Sequence, residues 1–165
     1  MNVRSTADPA SDAALSEDLS QLEMSLTVLW NSARRWLSKR SSVGLSELDV
    51  FLMHMLAYRN APLRASDLAF ALAIDDMHLV SYSLKKLAKL GLITSAKAGK
   101  EVVYRATEGA FDHRTAFLED RARYVEPAIQ DLVVSGMDVR ALTKALRVLS
   151  GVYEQAARAA ACEKG

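Results

Sequence analysis

The chain has one cysteine, Cys162, close to its end, so no internal disulfide framework and no Cys-based metal site can be built from it. A lone thiol near a terminus also lacks the ordered, electropositive setting that makes a cysteine reactive. Proline (three) and glycine (seven) are scarce and no Pro/Gly-rich linker separates large domains. Ala, Leu, Lys, Arg and Glu dominate instead, which favours a mostly helical protein. No apolar run approaches the ~20 residues that span a bilayer, and the first 14 residues lack the basic start and apolar core of a signal peptide. The expected location is the cytoplasm, with no membrane partner. With 165 residues, half of them hydrophobic, the chain can bury one good core and carry helical extensions beyond it.

A formal net charge of +1 conceals a polarised distribution. Residues 1–24 hold one base, Arg4, against five acids. Residues 78–105 hold six Lys or Arg against one acid, Glu101. That concentrates positive charge on one local unit.

Residues 1–14 read as a disordered arm, and Ser16 followed by Glu17 and Asp18 as the start of a first helix. Leu15, Leu19, Leu22, Leu26, Leu29, Ala33 and Trp36 then recur at alternating spacings of four and three, the seam of an amphipathic helix over 15–44. Arg34, Arg35, Lys39 and Arg40 sit in its last turns, where cations complement the helix dipole. Ser41–Gly44 breaks it. Ser46 caps a second helix with Leu48, Leu52, Met55 and Leu56 inward and His54 beside that stripe; Asn60-Ala61-Pro62 ends it. Leu63 is a one-residue strand. Ser66 is the expected cap of a short third helix, and Asp75 of a fourth. At the other end of the chain Leu142, Leu146, Leu149, Tyr153, Ala156 and Ala160 repeat the heptad spacing, and Pro127 is expected to kink the helix that precedes them.

The stretch Asp75–Arg105 is the centre of the pattern. Val80, Leu84 and Leu87, flanked by Leu79 and Leu90, form an apolar back that should face the core. His78, Ser81, Tyr82, Lys85 and Lys89, with Lys86 at the edge, occupy the front. Gly91 stops the helix. Two β-prone runs, Leu92-Ile93-Thr94 and Val102-Val103-Tyr104, flank a Gly-bearing turn and predict a hairpin. The fold class is therefore mostly α with a small β-hairpin wing: a winged helix-turn-helix core at 45–107, flanked by an N-terminal helix at 15–44 and C-terminal helices at 108–165.

A helix with an apolar back, a Lys-bearing front and a basic hairpin beside it suits double-stranded DNA. The major groove admits one α-helix, and flanking lysines release counterions from phosphates. Ser81 and Tyr82 are candidates for base or phosphate contacts, Lys85 and Lys89 for phosphates, and Lys97 and Lys100 for the neighbouring backbone or minor groove, with Lys86 and Arg105 in the same DNA-binding set. His78 belongs to the same surface.

Residues 63–72 (LRASDLAFAL) and 78–93 (HLVSYSLKKLAKLGLI) resemble the helix-turn-helix, recognition helix and first wing strand of the MarR family of winged-helix transcription regulators. The resemblance implies a homodimer, usually a repressor and often released from DNA by a small ligand. It departs at Tyr82, where that family often carries Arg after the Ser matched by Ser81. It departs again at Ala98-Gly99-Lys100, which replaces the family's Asp-x-Arg wing turn, so the minor-groove Arg contact does not carry over.

Dimerisation is also expected from the residues alone. The terminal stripes (Leu15, Leu19, Leu22, Leu26; Leu142, Leu146, Leu149, Tyr153) need apolar partners beyond a winged-helix core, and a symmetry mate would supply them through an interface on the order of 2,000 Å². Two recognition helices would then read a pseudo-palindromic site. The competing reading is an assembly module whose basic face docks an acidic protein. An enzyme is not expected: His54 with Ser66 and Asp67, or His78 with Asp76 and Ser81, supply triad residue types without a nucleophile elbow, and each has a capping or surface role. No cofactor and no metal is expected, since His54 has no second ligand at helical spacing.

Overall fold

Pro9 opens the first helix. Its ring pre-sets φ, and its missing N–H is one that a first turn leaves unpaired anyway; Asp12 follows in that turn. In the computed structural model, which describes residues 9–40 and 44–163, α1 runs Pro9–Arg40. This corrects the expected arm and the expected start at Ser16: residues 9–14 are helical, and the Ser16 carbonyl accepts the Ser20 hydroxyl within the helix. Residues 1–8 and 41–43 lie outside the described part. Of the expected break, Gly44 is described, at φ +94°.

Ser46 caps α2 (Glu47–Arg59) as expected, in a reciprocal box with Asp49: the Asp49 N–H donates to Ser46 Oγ at 3.2 Å, and the Ser46 N–H to Asp49 Oδ2 at 2.7 Å. Asn60 ends it in the left-handed region, φ +47°. The strand expected at Leu63 is β1 (Leu63–Arg64). For α3 (Ala65–Ala71) the expected Ser66 cap is corrected. Ser66 is already inside the helix, and Asp67 reaches back to the Arg64 N–H at 3.1 Å. For α4 (Met77–Lys89) the cap is Asp76, not Asp75; its Oδ1 accepts the N–H of His78 (2.8 Å) and Leu79 (3.2 Å). Gly91, at φ +72°, terminates α4: its N–H reaches the Ala88 carbonyl and the Leu92 N–H the Leu87 carbonyl, both at 3.0 Å.

The wing is β2 (Ile93–Ala98) and β3 (Glu101–Ala106), antiparallel, in a three-stranded sheet of order β1-β3-β2. Leu63 pairs with Tyr104, Ile93 with Ala106 and Ala98 with Glu101. Gly99 takes φ +65° in the two-residue turn, a place where a side chain would strain a tight hairpin.

The core lies beneath α4. Val80, Leu84 and Leu87 are fully buried against Leu52, Met53, Leu56 and Leu68. Leu79 and Leu90, expected to flank this face inward, are exposed. A helix turns ~100° per residue, so Leu79 points well away from Val80, and the inner position between Val80 and Leu87 is taken by Ser83 and Leu84. Against α2, α1 stacks Trp30 on Phe51 (ring centroids 5.6 Å apart) and pairs Arg34 with Glu47 at 2.7 Å.

The chain divides into two compact units between Arg114 and Thr115, inside α5 (Glu108–Tyr124). In the second, where a kink is expected at Pro127, the helix is interrupted at Val125, with helical hydrogen bonds from Val125 to Arg121 and from Ile129 to Val125 on either side. α6 (Glu126–Val134) follows with Pro127 in its first turn, and Arg121 pairs with Glu126 at 3.0 Å across the interruption. Asp138 caps α7 (Val139–Glu163) through the N–H groups of Arg140 and Ala141. No residue of α6 or α7 is buried. Among the described residues no helix is long and apolar enough to cross a membrane.

Candidate nucleic-acid interface

With Val80, Leu84 and Leu87 directed inward, the opposite face of α4 is set by geometry. Tyr82 lies about 160° around the helix from both Val80 and Leu84 and is 71% exposed. His78, Lys85 and Lys89 share its face and are exposed; Ser81 is half-buried at one side. Leu79 stands on the other flank, 54% exposed.

Lys86 departs from the expected arrangement. Its ammonium sits 2.6 Å from Asp49 Oδ2, and Asp49 is 1% exposed. Burial alone would raise the Asp49 carboxyl. Hydrogen bonds from Lys86 and the Ser46 backbone, with lesser help from the Ser83 and Ser46 hydroxyls, outweigh it and hold the group below its ordinary range. Lys86, expected at the edge of the basic front, therefore ties α4 to the start of α2 through this ion pair. The sequence carried a faint signal, since position 86 falls about 60° from Leu84's neighbour Ser83 on the helix wheel, nearer the core than Lys85.

On the wing, Lys97, Lys100 and Arg105 are all exposed. The one acid among them, Glu101, is engaged by Arg64 from β1 at 2.9 Å, and the same guanidinium holds Asp67 at 3.1 Å. The Arg64 guanidinium is held more firmly charged by these bonds, first to Asp67 and then to Glu101. Arg64 was not among the expected site residues. Arg64 pairs with Val103, which makes Glu101 a diagonal cross-strand neighbour. The local result is a wing tip whose lysines face solvent without a free acid of their own strand.

The remaining candidates disperse. His54 (α2) and His113 (α5) meet at Nε2···Nδ1 3.1 Å. Burial, then His113 and Arg114, push His54 down to about 4; burial also lowers His113. The Arg114 guanidinium lies 5.6 Å over the Tyr58 ring. The acids of the two triad-like sets are engaged elsewhere, Asp67 by Arg64 and Asp76 at the α4 cap. A shallow cavity of about 370 Å³ is lined by Asn31, Arg34, Arg35, Ser38 and Glu47. Among the described residues no three His, Cys, Asp or Glu side chains are grouped to hold a metal. Of the proposed dimer residues, Leu15 is 58% exposed, Leu142 48% and Tyr153 47%, Leu19 is also exposed, and Leu22, Leu26, Leu146 and Leu149 are half-buried.

Residues 45–110 match the family model described as winged helix DNA-binding domain. The chain is 37% identical over 73 residues to the HTH-type transcriptional regulator NmtR of Mycobacterium tuberculosis, a match that covers 44% of this chain and 57% of that protein. Its fold matches NMB1585, a MarR family regulator from Neisseria meningitidis, with TM-score 0.64 at 17% identity, covering 86% of this chain and 94% of that one. It also matches the transcriptional regulator BldR of Sulfolobus solfataricus, with TM-score 0.59 at 19% identity over 82% and 96% of the two chains. Residues 45–110 are thus similar to a winged helix DNA-binding domain, in a chain whose fold is like that of a MarR family regulator.

Proposed function

We propose that this protein is a homodimeric, sequence-specific regulator of transcription that binds duplex DNA and acts as a repressor. The observation that carries the reading is the front of α4: one helix face, opposite a fully buried back, that presents His78, Tyr82, Lys85 and Lys89 beside a wing bearing Lys97, Lys100 and Arg105. α4 enters the major groove with its N-terminal half toward base edges, and Lys85 and Lys89 meet phosphates. The wing lysines follow the adjacent backbone, and Arg105 reinforces the field from β3. The stripes of α1 and α7, partly exposed along their length, support pairing with a second copy, which sets two α4 helices about one DNA turn, ~34 Å, apart on a pseudo-palindromic site. A small-molecule effector and a cytoplasmic location accompany this reading as they do in the family it resembles.

The test is selection of bound duplexes from genomic fragments, followed by titration at several salt concentrations. Specific binding in the ~10⁻⁸ M range and a steep linear fall of log affinity with log salt are expected. Each phosphate-contacting lysine removed should flatten that slope by about 0.9, near 2 for a dimer that loses it twice. A chain that retains no genomic duplex even at low salt is not such a regulator.

A further inference from the structure

We infer that α4 selects its half-site through thymine methyl groups, with Leu79 and Tyr82 as the specificity-determining residues. The inference deepens the DNA-binding reading above and rests on it. From Met77 to Lys89 the helix contains no Arg, Asn, Gln, Asp or Glu. The bidentate pairs that read guanine through Arg, adenine through Asn or Gln and cytosine through a carboxylate are therefore all absent from it. Lysine can also reach guanine, but Lys86 is held by Asp49, and Lys85 and Lys89 stand in the C-terminal half, away from the end that a recognition helix directs at base edges.

What that end presents most of is apolar surface, the Leu79 side chain and the Tyr82 ring, with the Tyr82 hydroxyl at its rim. Leu79 and Tyr82 are three residues apart, hence surface neighbours, and both stand mostly in solvent on a helix that buries Val80 and Leu84 completely. His78 and the half-buried Ser81 beside them can make single hydrogen bonds. Single exposed apolar residues need no explanation. An adjacent pair at the base-facing end of a helix, flanked by Lys85 and Lys89, fits a negatively charged surface that also carries apolar points. In the major groove the C5-methyl of thymine is that point.

The experiment uses the full chain and a duplex enriched from a random-sequence library. The duplex is resynthesised with uracil in place of thymine, in the half-sites or only in the flanks. Uracil keeps the pairing and the O4 acceptor and loses the methyl alone. Half-site replacement should weaken binding about fourfold per contacted methyl, while flank replacement leaves it unchanged. The Leu79→Ala/Tyr82→Ala variant should bind thymine and uracil duplexes alike with the salt slope intact. Equal affinity of the unaltered protein for both duplexes, or enriched half-sites with no thymine in common, overturns the inference and leaves DNA binding standing. Enrichment of no duplex at all overturns both.

Discussion

Helices α4 and α7 are both strongly one-sided, yet they meet opposite fates within one chain. α4 places Val80, Leu84 and Leu87 out of water entirely, whereas α7, nearly twice as long, buries none of its stripe. The difference lies in what each stripe finds nearby. α4 has α2, α3 and β2 packed on its back, so its apolar residues are spent inside the unit and only its front is left to act. α7 keeps Leu142, Leu146, Leu149 and Tyr153 at least partly exposed, the face proposed above to meet a second copy. A heptad stripe read from sequence thus says that a face will be covered, not by which molecule.

The comparison breaks most visibly on α7. Leu149→Glu puts a charge in the middle of the proposed interface, so sedimentation should report a monomer, and loss of bivalent binding should weaken operator affinity by about 10²-fold or more. A variant that remains dimeric at low concentration places the interface elsewhere. Leu84→Ala acts on the packed side: a cavity beneath α4 should cost about 3–5 kcal/mol in denaturant unfolding, with the shift independent of protein concentration. A loss below about 1 kcal/mol would mean that this back is loosely packed. Lys86→Met leaves the Asp49 carboxylate buried without its partner and should cost about 2–3 kcal/mol, toward the low end for a buried pair because Lys86 is partly exposed. The salt slope of DNA binding should stay unchanged, and Asp49→Asn/Lys86→Met should recover part of the loss; a flatter slope in the single variant would return Lys86 to the phosphate contacts.

The smallest effect concerns acid. His54 is held neutral in the fold, at about 4 against an ordinary 6.5. Its contribution is complete above 6.5 and is lost as pH falls from there to about 4, because the unfolded chain takes up the proton first. Allowing for partial solvent screening, the loss should be on the order of 1–2 kcal/mol. His54→Gln should flatten the stability profile between pH 7 and 4.5; an unchanged profile would assign the acid sensitivity to other groups.

Sequence legibility followed the same division. The spacing of Val80, Leu84 and Leu87 and the stop at Gly91 were readable because periodicity and a left-handed turn are local properties. Hydrophobicity alone assigns Leu79 and Leu90 to the core, and only the angle of each around the helix turns them outward. Asp76 rather than Asp75 caps α4, a one-residue shift that adjacent acids cannot resolve without backbone geometry. The small polar residues of 1–14 have the composition of an arm, whereas Pro9 suits a first helical turn and α1 begins there. The roles of Lys86 and Arg64 depend on Asp49 and Glu101, each 37 residues distant in sequence, and no local pattern links them. The front of α4 was legible as a list of residues; which of them remain available required the fold.

Asp49 Oδ2 accepts both the Ser46 N–H that starts α2 and the ammonium of Lys86. One oxygen atom thereby serves two helices, and this bears on how the protein can change over generations. Positions 78, 79, 82 and 85 face outward, so under the proposed DNA reading they can drift at little cost to folding. Position 86, in the midst of them, is anchored to the interior and closed to that drift, as is the buried Ser83. Under the proposed DNA reading, a change of specificity would step around Lys86.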